Sequence, residues 1–502
     1  MYPRDSRTRI GSNPLDREIN CYLCQFGKIQ GLENVEPARN VEVVPTVTAS
    51  RTDSTADPLN SPIVDGDFEG EAGLSVRWGI TPDLTANLAI NPDFSRVEAD
   101  VAQLDVNNQF ALFFPEKRPF FLEGSDFFRT PIQAVFTRTV ADPTVGAKLT
   151  GKRGNNTFGI YAAEDDITNL LFPGAYSSDS ESLSMSNTAL VGRYSRSFGN
   201  VSQVGALLTA RNCDGYHNNV GGIDARWKIN DQHTLQAQIL RSDTQYPDQV
   251  AIDFDQPTDS FSGNAAQIGY NYDSRNWWTR MRFVAEYNIA HDEQGRVLEE
   301  EIESYFHISG PKQSFVQIGG LTRDMLFDGI TFKENKLSVY TEIKPKGGLY
   351  LGIWARIGDQ VDFANSRLGD EVRLQPRIEW NATQHLMLRL RSSFVTLDSK
   401  EGPNIFDATV HDIRATWQFS VRSFVRLTVH HQDIKRNQAM YVDQVDARSL
   451  NVGKQLLYSY KLNPQTVFFL GYSDRHVDDD ELNSLTAADR TLFMKIGYAW
   501  MP

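Results

Sequence analysis

Guanidinium groups recur at alternate positions in several stretches of this chain. Arg280 with Arg282, Arg373 with Arg377, and Arg389 with Arg391 each share one parity, and Glu371 and Glu379 fall among them. Planar forks of donors bind carboxylates and hydroxyls, so such rows could line a passage for an anion or a glycan. Equally, they could neutralise their own glutamates inside a closed interior. A second concentration of chemistry lies at 91–128. Asn91, Asp93, Glu98 and Asp100 come first, then Glu116, Lys117, Arg118 and Glu123, set among phenylalanines. Charges embedded among so many apolar rings are expected to be buried and paired. Asp93, Glu98 and Asp100 suit turns and caps; weak Ca2+ binding is the alternative, since hard cations favour clustered carboxylates.

The remaining polar groups suggest no reaction. Two carboxylates at the right separation can hydrolyse a glycosidic bond, but among 64 acidic residues no pair stands in a distinctive context. The run Asp478-Asp479-Asp480-Glu481 reads as a solvated loop. His430 and His431 alternate faces on one strand and cannot both point to one site. Cys21 and Cys24 are a disulfide candidate; zinc would need two more ligands nearby, and haem attachment would need His where Gln25 stands. No catalytic residue, resident metal or cofactor is expected. A net charge of -14 excludes the basic face a nucleic-acid binder needs.

Positioning such rows requires strands. From about residue 130 onward, alternating stretches are joined by tight turns and longer loops in succession. Trp277, Thr279, Met281, Phe283, Ala285, Tyr287 and Ile289 share one face against Arg280, Arg282, Glu286 and Asn288. Val372, Leu374, Pro376, Ile378 and Trp380 oppose Glu371, Arg373, Gln375, Arg377 and Glu379. Leu386, Leu388 and Leu390 oppose Arg389 and Arg391. These strands run about 11 to 15 residues, against a usual mode of roughly 5 to 6. Aromatics (Trp277, Trp380, Tyr498, Trp500) sit near strand ends, as interfacial girdles do. Mean hydropathy is -0.41 and nothing approaches a helical membrane span, but a barrel exposes only alternate residues to lipid.

The expectation is all-β: a large antiparallel transmembrane β-barrel of about 24 strands, within 22 to 26, beginning near Val41 and ending at Trp500. An even count puts both termini in the periplasm of a Gram-negative cell. Parity puts 115–130 at the periplasmic end, where it folds inward as a constriction. Residues 1–40 read as a periplasmic tail or linker, and 41–502 as the barrel. The start, Met-Tyr-Pro-Arg-Asp-Ser-Arg, has no apolar signal core, so the chain reads as a processed form, a fragment or a truncated reading frame.

Three motifs carry a resemblance. They are Gly27-Lys28-Ile29-Gln30-Gly31-Leu32, then Asn91-Pro92-Asp93-Phe94 with Val97-Glu98-Ala99-Asp100, then Pro115-Glu116-Lys117-Arg118-Pro119-Phe120-Phe121-Leu122-Glu123-Gly124. Across 27–128 they resemble a family of bacterial outer-membrane barrels of unassigned function. That family usually carries a signal peptide and a periplasmic domain similar to carbohydrate-binding module family 9, neither of which is seen here. The resemblance implies that 1–40 is the end of that domain plus a linker. The expected role is non-catalytic handling or passage of a glycan or other polar solute. The alternatives are a structural or anchoring barrel that presents loops or a periplasmic binding domain, and a soluble β-rich carbohydrate-active enzyme. Expected partners are outer-membrane lipid and lipopolysaccharide, the outer-membrane assembly machinery and a glycan, with no nucleic acid.

Overall fold

The computed structural model describes residues 40–92, 102–104, 106–108, 112, 114–140, 142–172, 179–199, 202–275, 280–463, 465–482 and 484–501. Its long alternating stretches form a single antiparallel sheet of 22 strands. The sheet closes on itself: the first strand, Asn40–Ser54, pairs with the last, Thr486–Gly497, from Thr46↔Gly497 to Ser54↔Asp489. Beyond the last strand, Val43 and Trp500 exchange both backbone hydrogen bonds, at 2.9 and 2.8 Å. Closure removes the sheet edges that would otherwise expose unpaired backbone groups, as any structure crossing hydrocarbon must.

The faces divide as the alternation predicts. Ile223, Ile239, Ile268, Ile302, Ile318, Ile357, Ile413, Leu427 and Leu456 are exposed on the outside. Their neighbours Gln238, Gln267, Lys336, Glu371, Asp412, Arg414 and Gln455 are buried within. A surface apolar outside and charged inside is the reverse of a soluble protein and matches a barrel in lipid with a polar lumen. Trp78, Trp227, Trp380 and Trp417 are exposed near one rim, just before its turns, and Trp500 is exposed there after the last strand. Trp277 and Thr279 lie outside the described residues.

The short turns after Thr81, Arg153, Phe198, Lys228, Arg275, Gly310, Lys346, Asn381, Gln418 and Lys461 all stand at that rim. With an even number of strands, both ends of the sheet stand there too. The opposite rim carries the long connections 55–67, 91–142, 166–186, 246–260 and 437–447. It also carries tight hairpins that a strict long–short alternation does not foresee. Asp214-Gly215 and Asp328-Gly329 close two of them, with Gly215 and Gly329 at φ 71° and 72°, the positive values such two-residue turns require.

The parity that puts 115–130 at the short-turn rim needs a strand on either side of it within 91–142. Among the described residues this stretch instead holds a short helix, Pro119–Leu122, and the 3₁₀ turns Ser125–Phe128 and Thr137–Thr139. It joins Leu84–Ile90 to Pro143–Arg153 at the long-connection rim. The prolines Pro115, Pro119 and Pro131, which lack an N–H for any ladder, are the physical reason. A two-stranded hairpin, Thr168–Phe172 with Asp179–Leu183, stands apart from the barrel sheet at the same rim.

Candidate functional site

One stretch of the lumen wall concentrates positive charge. The strand Arg367–Asn381 turns Glu371, Arg373, Arg377 and Glu379 inward because Val372, Leu374, Ile378 and Trp380 face out. Glu371 accepts from Arg356 and Arg373, each at 2.8 Å. Glu379 meets Arg377 at 2.7 Å, Arg389 at 3.3 Å and Arg391 at 3.7 Å. Five guanidinium groups thus gather around two carboxylates, and Asp412 stands directly opposite Arg391 on the next strand. The register sharpens the point: Arg356 stands directly opposite Arg373, and Arg377 opposite Arg391. Like charges directly opposed destabilise a sheet, so this wall carries a cost that neutral side chains would avoid.

Flanking walls are closer to balance. Glu334 is fully buried, takes Arg323 and Lys336 (the latter at 3.1 Å), and accepts the Val361 N–H at 2.8 Å. Asp412 is chelated by Arg414 at 2.8 Å and lies 3.1 Å from His430. Arg280 pairs with Asp273, and Arg282 donates to Asn271, on strands remote from the arginine-rich wall.

The connection 91–142 enters the lumen and touches opposite sides of it. On one side Phe120, Phe121 and Phe128 pack on Ala89, Tyr161, Ala163, Ala189, Val191 and Leu207. Two glycines make this possible: a Cβ on Gly146 or Gly159 would come within 2.9 Å of the Phe120 or Phe128 ring. Glu123 accepts from Arg77 and, at 2.9 Å, from Asn87, while Lys148 donates to the Phe120 and Glu123 carbonyls. Gly124 turns at φ 66° against Thr150, so the insert reaches close to the short-turn rim. On the far side Leu104 and Val106 pack on Val395, Leu397, Phe406 and Val410, and Asn107 donates to the Val361 carbonyl at 2.8 Å.

The insert also folds back on itself. Arg118 forks onto Glu116 at 2.9 and 2.8 Å and donates to the Thr137 carbonyl at 2.6 Å. Its guanidinium lies 4.5 Å from the centre of the Phe121 ring. Burial raises the Glu116 carboxyl, but the Arg118 fork and the Thr137 hydroxyl outweigh it and hold the group down at about 2.

Residues 55–158 match the model of a family described as "Domain of unknown function (DUF5916)". The match spans two of the three resembling motifs and agrees with an outer-membrane barrel of unassigned function. No curated protein matches the chain. Among solved structures, the ferric enterobactin receptor PfeA of Pseudomonas aeruginosa, as a mutant in complex with enterobactin, is 10% identical with a TM-score of 0.54. That alignment covers 92% of this chain and 82% of the receptor. The FrpB iron transporter of Neisseria meningitidis (F5-1 variant) is 8% identical with a TM-score of 0.50, covering 92% and 83%. At such identities the likeness is one of fold: a large closed barrel of outer-membrane type.

The residues singled out from sequence separate in space. Arg373, Arg377, Arg389 and Arg391 converge, whereas Arg280 and Arg282 do not join them. Glu116 and Arg118 close the insert, Glu123 ties it to the wall, and Lys117 is exposed. Asn91 turns at φ 41° and its amide donates to the Ala72 carbonyl at 2.9 Å. Asp93, Glu98, Asp100, Cys21 and Cys24 lie outside the described residues, among which no group of three metal-ligating side chains occurs. Sequence reading missed Arg356, Arg77, Lys148 and the glycine sockets. One signal was present: at Gly159–Ala163, Ala189–Val191 and Ala408–Val410 the strands are apolar or small on both faces, which marks a lumen surface that something covers.

Proposed function

We propose that this chain is a non-catalytic outer-membrane barrel that passes or captures an anionic polar solute, acidic glycans among them. The observation that carries the reading is the arginine wall, where five guanidinium groups gather around two carboxylates. Guanidinium forks bind carboxylate and sulfate groups, so a wall this rich in them would favour a passing anion. The short-turn rim with its tryptophans would face the periplasm, and the long connections, among lipopolysaccharide, the outside. Both chain ends would then be periplasmic. The fold of the receptor and transporter above is consistent with solute handling.

The test is reversal potential across a planar bilayer under a salt gradient. The reading expects anion preference that falls when Arg377, Arg389 and Arg391 are replaced together by Gln. Cation preference, or selectivity indifferent to those changes, would overturn it. A second reading, an anchoring barrel whose lumen stays filled, draws on the insert's docking to opposite walls. Electrical silence that persists after the insert is loosened would favour it.

A further inference from the structure

Beside the arginine wall the lumen is lined by flat rings. Tyr305 and His307 stand on Val297–Gly310, Phe315 on Ser314–Phe327, Tyr340 on Ile330–Lys346 and Trp354 on Leu349–Asp362, four consecutive strands. All five face inward, because their neighbours Phe306, Val316, Val339 and Ile353 are exposed on the outside, and all five are half-buried. Register joins them into one strip: Gln317 stands opposite both His307 and Tyr340, and Tyr340 stands opposite Trp354. Ring centres are 6.1 Å apart from Tyr305 to His307, 5.4 Å from His307 to Phe315 and 5.7 Å from Phe315 to Tyr340. Tyr305 lies along the wall: a Cβ on Gly319, directly opposite, would come within 2.3 Å of its ring.

The strip runs into the arginines. Arg356 lies 5.5 Å from the centre of the Trp354 ring, and Arg377 lies 5.3 Å from that of Tyr350. The hydroxyls of Tyr340 and Tyr350 go to Glu342 and that of Tyr305 to Glu303, so these rings meet a solute with their faces. A pyranose offers such rings an apolar C–H face, and its edge hydroxyls suit the Gln317 and Ser338 side chains between them. Glu303 and Glu342 disfavour negative charge over the rings, whereas the arginines on the next strands favour it. Four strands about 4.8 Å apart give the strip a run of about 14 Å, room for more than one ring. We propose that the solute is an oligosaccharide with uncharged pyranose rings and an acid group at one end. Its sugar faces lie on Tyr305, Tyr340 and Trp354, and its acid lies on Arg356 and Arg377. This rests on the passage or capture reading above and narrows its solute.

Lactobionate, which joins one pyranose to one carboxylate, would be titrated calorimetrically into the purified full-length barrel beside lactose and gluconate. The proposal expects saturable lactobionate binding, with lactose and gluconate each weaker by about tenfold or more. Trp354→Ala should weaken lactobionate by about threefold to tenfold, the loss of one ring contact, and Trp354→Phe should restore part of it. Gluconate binding as tight as lactobionate would remove the rings from recognition, and lactose binding as tight would remove the arginines; either overturns the proposal, as does absence of saturable lactobionate binding. Anion preference across the bilayer without preference for lactobionate would overturn the strip and leave the passage reading standing. Should Trp354→Ala fail to fold, judged by loss of heat-dependent gel mobility, the wild-type comparison of the three probes still decides.

Discussion

Glu116 and Arg118 are two residues apart, yet their ion pair fixes a fold-back that spans 19 residues, because Arg118 also reaches the carbonyl of Thr137. The Glu116 carboxyl sits near 2 against an ordinary 4.5. A depressed carboxylate contributes stability that is complete above its ordinary value and is lost as the pH falls toward its folded one. The insert should therefore hold firm at neutral pH and loosen between about pH 4.5 and 2, with up to about 3 kcal/mol at stake. Limited proteolysis across that range would report it. Glu116→Gln should already be cleaved faster at pH 7 and respond little to acid; an unchanged acid profile in that variant would remove Glu116 from the mechanism.

Among the elements, the insert is the one that docks on opposite sides of the lumen. Burying Phe120, Phe121 and Phe128 is worth roughly 1.5–3 kcal/mol each, enough to keep it docked unless a ligand or partner competes. The sockets at Gly146 and Gly159 are where this docking is most easily spoiled. Gly159→Leu should leave the barrel closed, since residue 159 faces the lumen between outward Phe158 and Ile160, but displace the Phe128 ring. The expected outcome is unchanged heat-dependent gel mobility with larger or more frequent conductance steps. A variant as silent as the wild type would show that the phenylalanine contacts do not control passage. Sequence placed the charges of this element among aromatics, but parity did not foresee that 91–142 is a single connection from Leu84–Ile90 to Pro143–Arg153.

Across the whole molecule the outer surface is the test of the membrane. Ile268 is 54% exposed at mid-strand, an expensive position for an isoleucine in water and an ordinary one in hydrocarbon. Ile268→Arg should destabilise folding into lipid bilayers by about 2–4 kcal/mol, the usual cost of a lipid-facing cation near the midplane. Urea titration of tryptophan emission in vesicles would measure it, and a neutral effect would place Ile268 away from lipid. The inward Gln267→Arg change beside it should be far milder, which separates the two faces of one strand.

The period of two, the turn residues and the lengths of the stretches are local properties. That is why the closed antiparallel barrel and its outward face were legible in the sequence. Which arginines meet was not: Arg356 lies 15 residues from Glu371 and faces Arg373 only through pairing across strands. The same holds for the insert, whose two docking surfaces are brought to opposite walls by closure of the sheet. Register and closure are set by the summed packing of all 22 strands, so no single stretch of sequence carries them.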